Sequence, residues 1–227
     1  LVIALFLVEL APPAVSRPVG SAIELLAAIP SIIFGMWGLF VFAPFMAAHV
    51  EPVLAKTWNA VPLLNLIPLF RGTPRGIDLL TSGVILALMV LPFISSVMRD
   101  VFLMVPAVVK ESAYGMGATT WEVTRRVTVR YGVYGLVGAC FLGLGRAIGE
   151  TMAVTFVIGN SHRISASLLD PATSIASTLA NEFAEASDPL YLSSLVQLGL
   201  VLFLIAFALQ VVAHLWLKRV AKSMGTL

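Results

Sequence analysis

The sequence predicts an all-α, polytopic transmembrane helical bundle, and three observations predict it. Of 227 residues, 59% are hydrophobic and only 11% are charged, and the mean hydropathy is +0.98. A soluble domain carries about 25% charged residues and about 45–50% apolar ones. The apolar residues form runs long enough to cross a bilayer, and no strand-like alternation competes with them. We therefore expect residues 1–227 to form one transmembrane domain surrounded largely by lipid.

The elements follow from the positions of these runs. The chain opens inside an apolar run, residues 1–10, which lacks the basic start and cleavage site of a signal peptide. We interpret this run as the tail of a transmembrane helix that begins upstream. The next run is long enough to tilt or to break at Pro30. Four further spans are predicted, at about residues 21–48, 77–98, 132–158 and 192–217.

Positive charge sorts the segments between the spans. Nine Lys and Arg residues lie in residues 11–20, in residues 99–131 and at the C-terminus, whereas four lie in residues 49–76 and 159–191. Cytoplasmic loops are enriched in Lys and Arg, so the first group is predicted to be cytoplasmic and the second external. The formal net charge of +2 is too small to argue for nucleic acid.

The cytoplasmic loop at 99–131 is patterned rather than irregular. It predicts two short helices, one over residues 108–117 and one opened by a capping box in which Glu122 follows Thr119 by three residues. The first helix would expose Tyr114 and Met116, with Trp121 nearby. On pattern alone, lipid headgroups would cover this surface as well as a protein partner would.

A resemblance favours the protein partner. Glu111, Ser112 and Ala113, followed after three residues by Gly117, resemble the EAA loop (Glu-Ala-Ala-x-x-x-Gly) of ABC importer permeases. In that family the loop forms the coupling helix that fits a groove on the cytoplasmic ATPase subunit. Ser112 replaces the central Ala, and residues 127–130 replace the family's later Ile-x-Leu-Pro. Because that proline is absent, we expect the exit into the next span to differ.

Longer stretches resemble the PstC permeases of phosphate-specific ABC importers, which are type I, MetI-like proteins. They are residues 27–31, 35–38, 98–101, 110–117, 145–154 and 181–186. The resemblance implies a multi-pass protein of the bacterial plasma (inner) membrane with six transmembrane helices when complete. It implies a heterodimer with a second, PstA-like permease, two PstB-like ATPase subunits and an external PstS-like phosphate-binding protein. It implies no cofactor on this chain, since the ATPase uses the ATP.

Two charges near the end of the third predicted span carry the substrate hypothesis. Arg146 and Glu150 are four apart, so on one helix they would share a face and could pair. A buried ion pair joining two helices would explain them structurally. The functional explanation is an anion relay, because arginine presents a planar fork of donors that suits oxyanions. In the family resembled, the matching residues are needed for phosphate passage. We hypothesise that Arg146 guides phosphate and that Glu150 tunes its release.

The remaining polar residues predict less. Glu9 and Glu24 are interpreted as structural residues near the interface, and the three histidines lack the spacing of a metal site. The outer segment at residues 161–189 is predicted to hold a short amphipathic helix, beginning at Ile175, that plugs or gates the outer mouth.

Several functions stay open at this stage. The chain has no Gly-x-x-x-x-Gly-Lys-Ser/Thr loop, so it is expected to be a transport subunit rather than an enzyme, with ATP hydrolysed by another chain. Sulfate or molybdate could replace phosphate, since all are tetrahedral oxyanions. A proton-coupled secondary transporter would use Glu150 as its titrating group. No His, Cys or Asp cluster supports a membrane-embedded enzyme.

Overall fold

A computed structural model describes residues 1–60 and 67–223, and this part of the chain is helical without strands. The predicted all-α class is confirmed. The predicted domain 1–227 also includes 61–66 and 224–227, which lie outside the described residues. The helices are α1 (2–10), α2 (Pro13–Ala27), α3 (Ser31–Ala60), α4 (Leu79–Leu103), α5 (Ala107–Gly115), α6 (Thr120–Ile148), α7 (Met152–Thr155), α8 (Ile175–Glu182) and α9 (Pro189–Ser223).

Four described helices are long and apolar enough to cross a membrane. They are α3, α4, α6 and α9, the last over Pro189–Arg219. Only 6% of the most apolar stretch of α9 is buried within the chain. Such an apolar surface cannot face water over this length, so it faces lipid or another subunit. The chain is thus a multi-pass membrane protein.

The first predicted span was placed too early. Residues 21–48 do not form one helix, because α2 ends at Ala27 and α3 begins at Ser31. Pro30 lies between them in an extended conformation. The helix is interrupted here because proline has no N–H to donate and disfavours helical backbone in the residue before it. Residues 11–20, expected to be a loop, lie mostly in α2, which begins at Pro13.

The third predicted span, residues 132–158, was wrong at both ends. The capping box at Thr119 and Glu122 is confirmed, but it opens a helix that runs without interruption to Ile148. The second short helix is therefore the first turns of α6, as the missing proline near residue 130 allows. At the other end the chain leaves the helix after Ile148, and the separate turn α7 follows.

The chain divides into two compact units. The first comprises Leu1–Ala28, Val90–Ile148 and Phe207–Leu227, and the second comprises Ile29–Met89 and Gly149–Ala206. In the first unit, α1, α4 and α6 share a core built around the buried residues Ala4, Met98, Phe102 and Ala139.

Close approach of α4 and α6 depends on glycine. A Cβ at Gly135 would come within 2.5 Å of Val101, and one at Gly143 within 2.4 Å of Ile94. Small residues permit such contact between transmembrane helices.

The second unit has its own core around α3. Gly35 and Gly38 on α3 leave room for Phe156 and Val157, which follow α7. The segment after α6 therefore packs against the beginning of α3 instead of extending α6. Ile85, Met89 and Leu169 are almost completely buried in the same unit.

Candidate functional site

The helix α5 has the bounds expected of a coupling helix. It begins after Pro106 and ends at Gly115, close to the predicted 108–117. Gly117 follows with φ +85°, and the amides of Gly117 and Ala118 donate to the carbonyls of Tyr114 and Ala113. This left-handed residue closes the helix in the way glycine commonly does.

The motif residues divide between the two faces of α5. Ala113 is buried, whereas Glu111 and Ser112 are exposed. The Ser112 hydroxyl donates to the Val108 carbonyl at 2.7 Å, so serine is accommodated at the position of the family's central alanine. Within the described residues, the Glu111 carboxylate makes no hydrogen bond or ion pair.

An apolar surface surrounds the exposed motif residues. Met116 is 83% exposed and Trp121 is 69% exposed, and Val108 and Tyr114 lie open beside them. Exposed apolar side chains in such number are typical of a docking site.

Two ion pairs tie the charged residues of this side to other helices of the first unit. Lys110 on α5 contacts Glu9 on α1 at 2.6 Å, and Arg99 on α4 contacts Glu24 on α2 at 2.7 Å. The structural interpretation of Glu9 and Glu24 is therefore consistent with their contacts. The partners are at least 75 residues apart in sequence, so no local spacing could have identified them.

Arg146 and Glu150 do not share a helix face. Arg146 lies in the last turn of α6 with its guanidinium 5.5 Å from the centre of the Phe93 ring, and α6 ends two residues later. Glu150 accepts a hydrogen bond from the Ala153 amide at 3.3 Å, at the start of α7. The expectation of an i, i+4 pair was wrong because the Gly149 region interrupts the helix. The substrate roles of both residues stay predictions.

The sequence interpretation missed a buried carboxyl pair. Glu51 on α3 and Asp78, just before α4, are both fully buried. Glu51 accepts hydrogen bonds from the Gly76 amide and the Thr81 hydroxyl, and one Asp78 oxygen accepts from the Thr81 amide at 2.8 Å. The other Asp78 oxygen, Oδ2, has no partner in the described structure. An acidic residue directly before or within an apolar run was the available signal.

The buried position raises the pKa of Asp78 from its ordinary 3.8 to about 6. Loss of water is the largest cause, the Thr81 amide opposes it, and the Glu51 charge adds to it. The folded state thus holds this proton more tightly than the unfolded state. Stability from this group is complete below pH 4 and is lost as the pH rises towards 6.

Asp78→Asn is expected to raise the thermal midpoint above pH 6. Its amide can still accept from Thr81, and its NH2 can donate to Glu51 in place of the unpartnered oxygen. We expect a gain of about 2–4 °C, as for ~1 kcal/mol in a chain of this size. Thermal unfolding of both proteins in detergent from pH 4 to 8 measures it. A gain that stayed constant over this range would contradict the assignment.

The outer segment contains the expected short helix. It is α8, Ile175–Glu182, opened by a capping box between Ser174 and Ser177. Glu182 contacts His162 at 3.1 Å and accepts from the Tyr191 hydroxyl. The amides of Leu79 and Leu80 donate to the carbonyls of Asp170 and Leu168, which connects the start of α4 to the segment before α8, and the Leu168 amide donates to the Leu69 carbonyl at 2.7 Å, which connects the two outer segments. Plugging or gating by α8 stays a prediction.

Relatives with established names cover nearly the whole chain. Over 223 aligned residues the chain is 58% identical to the phosphate transport system permease protein PstC of Mesorhizobium japonicum. The alignment covers 98% of this chain and 68% of that protein. The PstC proteins of Pasteurella multocida and Haemophilus influenzae are 55% and 54% identical, with 98% of this chain and 69% and 70% of theirs covered. No protein-family model matches.

Solved structures agree on the fold. A chain of the MetNI methionine ABC transporter in an inward-facing conformation superposes with a TM-score of 0.65 at 17% identity, covering 96% of this chain and 84% of that one. A second crystal form of the same transporter superposes with a TM-score of 0.66. At this identity the likeness concerns the helical architecture alone.

Proposed function

This chain belongs to the PstC family of phosphate transport permeases, and we propose that it forms the phosphate pathway of an ATP-driven importer together with a second permease. The 58% identity over 98% of the chain carries the proposal. As a permease of the bacterial plasma membrane, the chain is a transport subunit. Hydrolysis of ATP is assigned to two separate ATPase subunits, and delivery of phosphate to an external binding protein.

The proposed docking element is α5. The face of α5 that packs against the rest of the chain carries Ala113 and Lys110. The opposite, exposed face carries Glu111, Ser112 and the exposed apolar side chains. Lipid headgroups covering α5 would not explain why its Lys110 is held in an ion pair with Glu9 on α1. A groove on a motor subunit would cover the apolar side chains and offer a counter-charge to Glu111. Gly117 sets the angle at which α5 leaves that groove.

The proposed substrate residues are Arg146 and Glu150. Arg146 is exposed in the isolated chain and its charge has only an aromatic ring as a described neighbour. An arginine that is not neutralised by a carboxylate is available to an oxyanion. We assign it the guidance of phosphate and assign Glu150 the tuning of its release.

The family relation favours phosphate over sulfate or molybdate, and ATP over a proton gradient. Purification of the affinity-tagged permease from its native membrane tests the partners. We expect a second permease and a nucleotide-binding subunit in stoichiometric amounts. A permease that purifies without any nucleotide-binding subunit, in cells whose phosphate uptake collapses with an uncoupler while ATP is maintained, would instead support the proton-coupled transporter.

A further inference from the structure

Glu9 is a buried carboxylate that accepts hydrogen bonds from two other helices. Its side chain is 6% exposed, and its Oε1 accepts from Lys110 Nζ on α5 at 2.6 Å and from Thr128 Oγ1 on α6 at 2.8 Å. The donors are 101 and 119 residues away in sequence. A single carboxylate oxygen therefore connects three helices of the first unit.

The contact between Lys110 and Glu9 lies beside the exposed motif residue Glu111. Lys110 directly precedes Glu111, and successive residues of an α-helix point about 100° apart. Lys110 is therefore directed inward to Glu9 while Glu111 stays exposed. A force applied to the outer face of α5 is carried through the same helix to the Lys110 ammonium group.

The helix that carries Glu9 is part of the packed core of the first unit. Glu9 lies near the end of α1, and Ala4 on the same helix is completely buried against α4 and α6. Leu5 and Val8 pack against the same cluster. Displacement of Glu9 would thus act on a helix that is embedded among the transmembrane helices.

Stability alone does not account for this arrangement. A buried ion pair usually stabilises a fold no more than apolar residues of similar volume would, because removing two charges from water is costly. What the pair supplies is a fixed register between helices. The Arg99–Glu24 pair on the same side is different, since Glu24 is 55% exposed and such pairs contribute little.

We propose that Glu9 is the positioning residue through which movement of α5 reaches α1, so that the Glu9–Lys110–Thr128 contact couples the motor to the membrane helices. The inference rests on the proposed docking of α5 on an ATPase. Glu9 itself touches no substrate. Its loss should therefore reduce the phosphate imported for each ATP hydrolysed, and leave assembly and hydrolysis in place.

The test compares variants of the complete importer in proteoliposomes containing ATP, with inorganic phosphate and the binding protein supplied at the outer face. The decisive variant is Glu9→Gln with Lys110→Met, because it removes the contact between α5 and α1 without leaving one buried charge unpaired. Glu24→Gln is the matched control, since it removes a carboxylate from the exposed pair. Lys110→Arg preserves the link. Phosphate uptake, ATP hydrolysis, subunit stoichiometry and thermal midpoint are measured for each.

The double variant is expected to assemble and hydrolyse ATP while importing about tenfold less phosphate per ATP, a typical size for coupling between sites. Glu24→Gln and Lys110→Arg should keep the wild-type ratio. An unchanged ratio in the double variant would overturn the proposal. Failure of that variant to assemble would overturn it too, because the contact would then be a folding element. If the wild-type complex itself couples no phosphate uptake to ATP, the proposed function fails.

Discussion

Replacing Arg146 with glutamine is expected to lower phosphate uptake about a hundredfold, because a charge-assisted, bidentate contact with an oxyanion would be lost. The guanidinium lies over Phe93, and it forms no ion pair with a carboxylate within the described residues. Its removal therefore leaves no buried carboxylate without a partner, and the complex should still assemble. The measurement is uptake of labelled phosphate in cells that lack other phosphate importers.

Two further variants separate guidance from simple attraction. Arg146→Lys keeps the positive charge but loses the planar fork, and we expect intermediate uptake. Arg163→Gln removes an exposed arginine from the outer segment, and it should leave uptake unchanged. Normal uptake by Arg146→Gln in an assembled complex would remove Arg146 from the phosphate pathway.

Gly117→Ala is expected to lower phosphate uptake about tenfold through the backbone, since a non-glycine residue in the left-handed region costs ~1–3 kcal/mol. Gly117 has φ +85°, and an added Cβ would meet nothing within 4 Å. The effect therefore arises from the turn between α5 and α6, which sets the direction of α5, and not from a clash. Co-purification of the ATPase subunit should weaken in parallel.

Gly115→Ala is the matched control. It adds the same methyl group two residues earlier, where the backbone is helical and a Cβ would also meet nothing. Alanine favours a helix relative to glycine, so the protein should be as stable or slightly more stable. Equal loss of uptake in both variants would show that added bulk, rather than the left-handed turn, disturbs docking.

Patterns within one stretch of sequence predicted the local structure well. The capping box at Thr119, the end of α5 near Gly115 and the short helix at Ile175 all depend on residues a few positions apart. Span boundaries were less accurate. Hydropathy extends through Gly149 and Glu150, so nothing in it shows that α6 ends at Ile148 and that the following residues pack on α3 instead.

Long-range contacts could not be predicted from local patterns. Glu9 and Glu51 each lie at or within an apolar run, which indicates that a polar side chain needs a partner but not which one. Their partners, Lys110 and Thr81, are set by the packing of whole helices. The expected i, i+4 pairing of Arg146 with Glu150 was wrong for the converse reason, since the four-residue spacing has its meaning only on an uninterrupted helix and α6 ends at Ile148.

The central claim is that this permease imports phosphate with energy that an ATPase delivers through α5. Its most direct test is phosphate accumulation in proteoliposomes that contain both permeases and the ATPase, with the binding protein at the outer face. The account predicts uptake with ATP inside, none with ADP, and none when Glu111→Lys prevents docking. Uptake that proceeds equally with ADP, or that follows an imposed proton gradient without nucleotide, would contradict it.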